Sequence, residues 1–81
     1  MREDLAFLKQ SKTAIQILKK LNSPKTPTEI GKELNLHQQS VSNTLSKLLK
    51  RKLVICVTPE RHNYRHYEIT EKGRKLLKKI E

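Results

Sequence analysis

Seven polar side chains spaced from Gln39 to Lys50 are the residues in this chain best suited to chemistry with a partner. On a wheel of 100° per residue, Gln39, Ser40, Ser42, Asn43, Ser46, Lys47 and Lys50 share one arc, opposite Val41, Leu45, Leu48 and Leu49. The polar arc holds amides, hydroxyls and lysines but no carboxylate. Amides offer a donor beside an acceptor, hydroxyls do both, and lysine adds charge. That set can read base edges. Gln or Asn bonds adenine N6 and N7 together, Ser reaches several bases, and Lys turns to phosphate or guanine. A carboxylate there would be repelled by phosphate, whereas an ordinary solvated helix face mixes Glu with Lys. The plainer alternatives are a solvated surface for Gln39 and Asn43, and serines bonded back to their own backbone.

The charge balance agrees with an anionic partner. Eighteen Lys and Arg against eight Asp and Glu give +10 on 81 residues. Residues 11–54 carry +7 of it and residues 71–81 carry +3, while 1–10 and 55–70 are neutral. No block of five or six like charges marks a disordered tail.

Several elements must position the polar arc. Leu5 and Leu8 predict a short helix over 2–9, with Glu3 and Asp4 suiting its first turn. Ser11 caps a helix over 12–22 whose apolar stripe is Ala14, Ile15, Leu18 and Leu21, stopped by Asn22-Ser23-Pro24. Thr26 caps the next helix, Pro27 takes its first position and Glu29 completes a capping box. Ile30 and Leu34 form its buried face, Gly31 predicts a close approach of another helix, and Asn35 ends it in left-handed geometry. Leu36 and His37 lead to the polar-faced helix, residues 38–51. Residues 53–58 and 64–70 read as two strands around a turn-rich Pro59–Asn63 connection, with Tyr67 and Ile69 on the inner face. Thr70 caps a last helix, 71–80, with Leu76, Leu77 and Ile80 on its apolar side.

Two helices joined by a tight turn, followed by a hairpin, make a helix-turn-helix with a wing. The expected fold is α+β and mainly helical: one domain over 1–81, with the turn-helix reader at 27–51, the wing at 53–70 and the C-terminal helix at 71–80. Gln38, Gln39, Ser40, Ser42, Asn43 and Ser46 are the candidate base readers. Lys47, Lys50, Thr28 and Lys32 are the candidate phosphate contacts, and Arg61, His62, Asn63 and Arg65 are the wing contacts, set against exposed loop residues. Tyr64 is a further candidate for sugar-phosphate contact, and Tyr67 reads as core.

From Ser11 to Leu77 the chain resembles small winged-helix transcriptional regulators of the MarR/ArsR-like kind, common in archaea. The residues that carry the resemblance are Ser11–Leu21, Thr26-Pro27-Thr28-Glu29-Ile30-Gly31-Lys32-Glu33-Leu34, Val41-Ser42-Asn43-Thr44-Leu45-Ser46-Lys47-Leu48, Arg51-Lys52-Leu53-Val54 and Tyr67-Glu68-Ile69-Thr70-Glu71-Lys72-Gly73. The resemblance implies a sequence-specific regulator of double-stranded DNA, read as a repressor and a homodimer on a near-palindromic operator. This chain departs from the family at three positions. Gly31 stands where Ala is frequent. Asn43 stands where Arg is frequent, so a guanine contact there is not carried over. Lys52 stands where Gly is frequent, and in a left-handed conformation it would cost about 1 kcal/mol.

A chain of this size buries only about 63% of its unfolded surface. Leu5, Phe7, Leu8, Leu76, Leu77 and Ile80 exceed what such a thin core needs. Leu5, Leu8, Leu76, Leu77 and Ile80 are therefore expected at a dimer interface, against intramolecular packing of both termini on the 12–22 helix. A lone Cys56 reads as a small hydrophobe and fits a reducing cytoplasm, and no signal peptide or membrane span is visible. His62 and His66 are four apart on a hairpin, which does not bring their rings together, so no metal is expected. No cofactor is expected either. The chain shows no Gly-rich phosphate loop, dense carboxylate pair or nucleophile with a nearby base, which argues against an enzyme. The competing reading is a winged helix that binds RNA or another protein. Three aromatics are few for base stacking, which favours duplex DNA.

Overall fold

Thr26 and Glu29 start the first helix of the helix-turn-helix. The Thr26 Oγ1 accepts from the Glu29 N–H at 3.2 Å, and Glu29 Oε1 accepts from the Thr26 N–H at 2.9 Å. This capping box satisfies two N–H groups that a helix start leaves unpaired. The computed structural model describes residues 2–80; Met1 and Glu81, the ends of the expected domain 1–81, lie outside the described residues. The elements run α1 (Arg2–Lys9), α2 (Lys12–Lys20), α3 (Pro27–Leu34), α4 (Gln38–Lys50), β1 (Val54–Cys56), β2 (Tyr67–Ile69) and α5 (Glu71–Ile80).

Helix α2 sits at the centre, against α1, α3, α4 and α5. It buries Ala14, Ile17 and Leu18 completely, and Leu21 at its C-cap is fully buried too. The expected stripe had Ile15 where Ile17 belongs. Ile17 completes the i, i+3, i+4, i+7 set with Ala14, Leu18 and Leu21, while Ile15 lies half-buried at the edge of the core. The helix stops at Lys20 rather than residue 22. Leu21 turns away from helical geometry, and its carbonyl accepts from the Ile69 N–H at 3.0 Å.

The hairpin is antiparallel, with Val54 opposite Ile69, Ile55 opposite Glu68 and Cys56 opposite Tyr67. Its strands are shorter than the expected 53–58 and 64–70. Beyond Val57, the Thr58 hydroxyl rather than a backbone carbonyl takes the His66 N–H, at 2.9 Å, and Pro59 has no N–H for a ladder. On its other side β2 pairs with Lys25, through bonds of 3.0 and 2.8 Å between the Lys25 and Tyr67 backbones. The segment entering α3 is thereby fastened to the wing.

Two close approaches fix the joints. A Cβ on Gly73 would stand 2.4 Å from the Leu53 carbonyl oxygen and 2.8 Å from Ile69 Cγ1. Only glycine lets α5 start there, and Thr70 caps it by accepting from the Gly73 N–H at 3.1 Å. At Gly31 the nearest atom is the Leu36 carbonyl oxygen, 3.0 Å from a Cβ position, with Val41 of α4 behind it at 3.8 Å. The approach expected from another helix is thus made first by the turn.

Helix α4 ends one residue before the expected 51. The Leu53 N–H bonds the Leu48 carbonyl and the Lys52 N–H bonds the Leu49 carbonyl, each at 3.0 Å. This is a Schellman ending, and Lys52 occupies its left-handed position at φ 62°.

Candidate nucleic-acid interface

The turn between α3 and α4 rests on Asn35, whose φ of 55° and ψ of 50° are left-handed. Its N–H and that of Leu36 both return to the Gly31 carbonyl. Asparagine tolerates this geometry better than other side-chained residues, so the chain reverses within three residues. Helix α4 then packs Val41, Leu45 and Leu48 inward and Leu49 at the margin. Gln38, Gln39, Ser40, Ser42, Asn43, Ser46, Lys47 and Lys50 are all exposed.

On that face Gln39 Nε2 donates to Asn43 Oδ1 at 3.3 Å, one helical turn apart. The pair leaves Gln39 Oε1 and Asn43 Nδ2 directed to solvent, an acceptor beside a donor. Gln38 Nε2 stands 3.5 Å from Thr28 Oγ1, across the helix-turn-helix joint. A back-bond of the kind set against base reading for the serines is made by Thr44, whose hydroxyl donates to the Ser40 carbonyl at 2.9 Å.

Both acids of residues 11–54 are engaged within the chain. The Thr26 backbone N–H, then its side chain, holds the Glu29 carboxyl below its usual range. Glu33 lies 3.0 Å from Lys25 Nζ and 3.6 Å from Lys20 Nζ, and Lys25 chiefly lowers its pKa. Lys32, Lys47 and Lys50 are exposed and have no acid partner among the described residues.

The wing stands beside the N-terminal ends of α3 and α4. Between them runs an open groove of about 570 Å³, with Thr28 and Gln38 on one wall and His62, Asn63, Tyr64 and Arg65 on the other. Arg61, His62, Asn63 and Arg65 are exposed. Arg65 is also part of the wing's own structure, because its Nε donates to the Arg61 carbonyl.

An ion-pair cluster went unforeseen in the sequence. Asp4, 8% exposed, accepts from Arg51 Nη1 at 3.0 Å and lies 2.9 Å from Lys72 Nζ. Lys72 and then Arg51 hold its carboxyl below the usual carboxylate range, against the opposing effect of burial. Arg51 also lies 4.4 Å above the centre of the Phe7 ring, and Lys72 donates to the Arg51 carbonyl at 2.9 Å. The cluster ties α1 to the end of α4 and the start of α5. The sequence pattern assigns Asp4 only to the first turn of its own helix, and nothing local to residues 1–10 points to partners 47 and 68 positions away.

The positions expected between two chains divide. Leu8 and Leu76 are fully buried within the single chain and Leu77 is nearly so, while Leu5 and Ile80 are half-buried at the core's edge. Leu8 and Leu76 therefore belong to the chain's own core, which needed more of the apolar termini than its size suggested. Among the described residues no three His, Cys, Asp or Glu are grouped to hold a metal ion, and no helix is long and apolar enough to cross a membrane.

This arrangement has relatives. The fold is similar to that of transcriptional regulator Tm0710 from Thermotoga maritima, with a TM-score of 0.78, 21% identity, and coverage of 98% of this chain and 57% of that one. NMB1585, a MarR family regulator from Neisseria meningitidis, gives 0.76 at 21% identity, covering 93% and 57%. The ST1889 protein from the thermoacidophilic archaeon Sulfolobus tokodaii gives 0.67 at 23% identity, covering 93% and 88%. The chain thus spans little more than half the length of the first two. No curated protein sequence matches it. A family model described as winged helix-turn-helix matches residues 9–81, and the chain belongs to that family.

Proposed function

We propose that this protein is a sequence-specific, double-stranded DNA-binding transcriptional regulator that places α4 in the major groove and the β1–β2 hairpin along the adjoining backbone. One observation carries the reading. The exposed face of α4 is entirely amide, hydroxyl and ammonium, and both carboxylates of residues 11–54 are engaged elsewhere. Gln39 and Asn43 supply the central base contact, with Gln38, Ser40, Ser42 and Ser46 around it. Lys47, Lys50, Thr28 and Lys32 hold phosphates, and Arg61, His62, Asn63 and Arg65 extend the contact along the wing. The solved structures of similar fold that are described as transcriptional regulators support this reading.

In this account the protein acts as a repressor and as a homodimer. Helices α1 and α5 lie together at one side of α2 and leave Leu5 and Ile80 partly uncovered. A second copy seated there would cover both and present two reading helices, as a near-palindromic operator requires. The whole of residues 1–81 forms the DNA-binding unit.

The test is recovery of genomic DNA fragments bound by the purified protein, followed by sedimentation of the complex. The expected result is a recurring motif with half-sites about one helical turn apart, bound by two chains. Fragments without a shared motif, or preferential recovery of RNA, would contradict the assignment.

A further inference from the structure

Tyr64 combines two features that folding alone does not favour. The residue is 74% exposed, and its backbone φ is 56°. Residues with a bulky side chain avoid that left-handed region, and an exposed ring leaves apolar surface in water. Backbone strain of this kind persists only where the surroundings hold it, and it concentrates at binding sites. Here the wing holds it. Across Tyr64 the Arg65 guanidinium donates to the Arg61 carbonyl. Just after it, the His66 N–H bonds Thr58 Oγ1 and the His66 carbonyl accepts from Val57, both at 2.9 Å. Tyr64 thereby lines the groove that also holds Thr28 and Gln38.

We propose that Tyr64 is a specificity-determining contact to duplex DNA, with its ring in the minor groove beside the site entered by α4 and its hydroxyl donating to adenine N3 or thymine O2. This rests on the DNA-binding reading above and adds to it a residue and a base preference. With α4 in the major groove, the hairpin that stands beside its N-terminal end would reach the neighbouring minor groove. There, A·T and T·A pairs show only acceptors, whereas G·C adds the guanine N2 amine, a donor. An uncharged phenol can donate to the first and meets a competing donor at the second. Arg61 and Arg65 attract phosphate whatever the sequence, so the ring rather than the charge discriminates. Tyr67 cannot take this role, because it is half-buried and its backbone is bonded to Lys25.

The experiment uses the full chain and the tightest duplex selected from a random library. Two copies of that duplex are compared, one with G·C and one with inosine·C in place of the A·T pairs at the wing-facing steps. The wild type should bind the A·T and inosine·C forms alike and the G·C form about fivefold more weakly. Tyr64→Phe should lose that preference. Tyr64→Gly should bind the A·T form about tenfold more weakly while melting no lower than the wild type, because glycine accepts the left-handed backbone. Neither change should alter the salt dependence. Wild-type affinity in both variants, with DNA binding intact, would overturn the role of Tyr64 alone. A drop in the melting temperature of Tyr64→Gly that accompanies its affinity loss would also overturn it, by showing that the ring supports the wing. Failure of the wild type to bind any duplex would overturn this proposal together with the DNA-binding reading.

Discussion

Gln39 and Asn43 are hydrogen-bonded to each other on the solvent face of α4, Nε2 to Oδ1, at 3.3 Å. The bond orients both amides before any partner arrives, which lowers the entropic cost of ordering two mobile side chains on binding. The outward acceptor of one and donor of the other match the N6 donor and N7 acceptor that adenine shows in the major groove. Changing either residue to alanine should narrow the affinity gap between selected and random duplex by about 1–3 kcal/mol, with random-sequence binding little changed. The double variant should lose less than the sum of the two, because each amide orients the other. Fluorescence anisotropy on both duplexes reads this directly, and an equal loss on the two would show that the residues only position the protein.

Lys52 holds the left-handed position of the turn that ends α4. Its side chain is exposed, so replacement removes little packing. Lys52→Gly should therefore raise the unfolding free energy by about 1 kcal/mol in urea denaturation. A lower stability would mean that the lysine side chain contributes more than its backbone geometry costs.

The Asp4 cluster makes stability depend on pH. A carboxyl whose folded pKa is lowered stabilises the fold above its unfolded pKa, and that stabilisation disappears as pH falls through the folded value. Stability should thus hold from neutrality to about pH 4 and decline below it, with Glu29 and Glu33 contributing in the same direction. Asp4→Asn should cost about 1–3 kcal/mol near neutral pH, screening being appreciable because Arg51 and Lys72 are each about one-third exposed. The same variant should show a shallower acid decline. Urea unfolding between pH 2 and 7 provides the check, and an unchanged acid profile in Asp4→Asn would place the dependence elsewhere.

Local signals in the sequence account for the helix starts and the reading face. The Thr26–Glu29 box, the Asn35 reversal, the Thr70 cap and the acid-free arc of α4 each depend on residues within one or two turns of one another. What local pattern does not encode is long-range pairing. The Asp4 cluster spans nearly the whole chain, and the bridge from Lys25 to Tyr67 is made by backbone atoms that leave no trace in side-chain type. The same limit explains Leu8 and Leu76. Their periodicity marks them as apolar faces but does not say whether their own core or a second chain covers them. Ile17 was legible in principle, because i, i+3, i+4 and i+7 from Ala14 point to it. β-branched Val57 and Thr58 extend the expected first strand, and the alternation from Tyr64 extends the second, but the Thr58 hydroxyl takes the His66 N–H in place of a backbone carbonyl and the ladder stops.

The central claim is that this surface binds the phosphates of duplex DNA, and the salt dependence of that binding tests it most directly. A dimer touching 6–8 phosphates predicts that log K falls against log salt with a slope of roughly −5 to −7. A slope near zero on duplex DNA would contradict the account, however tight the binding.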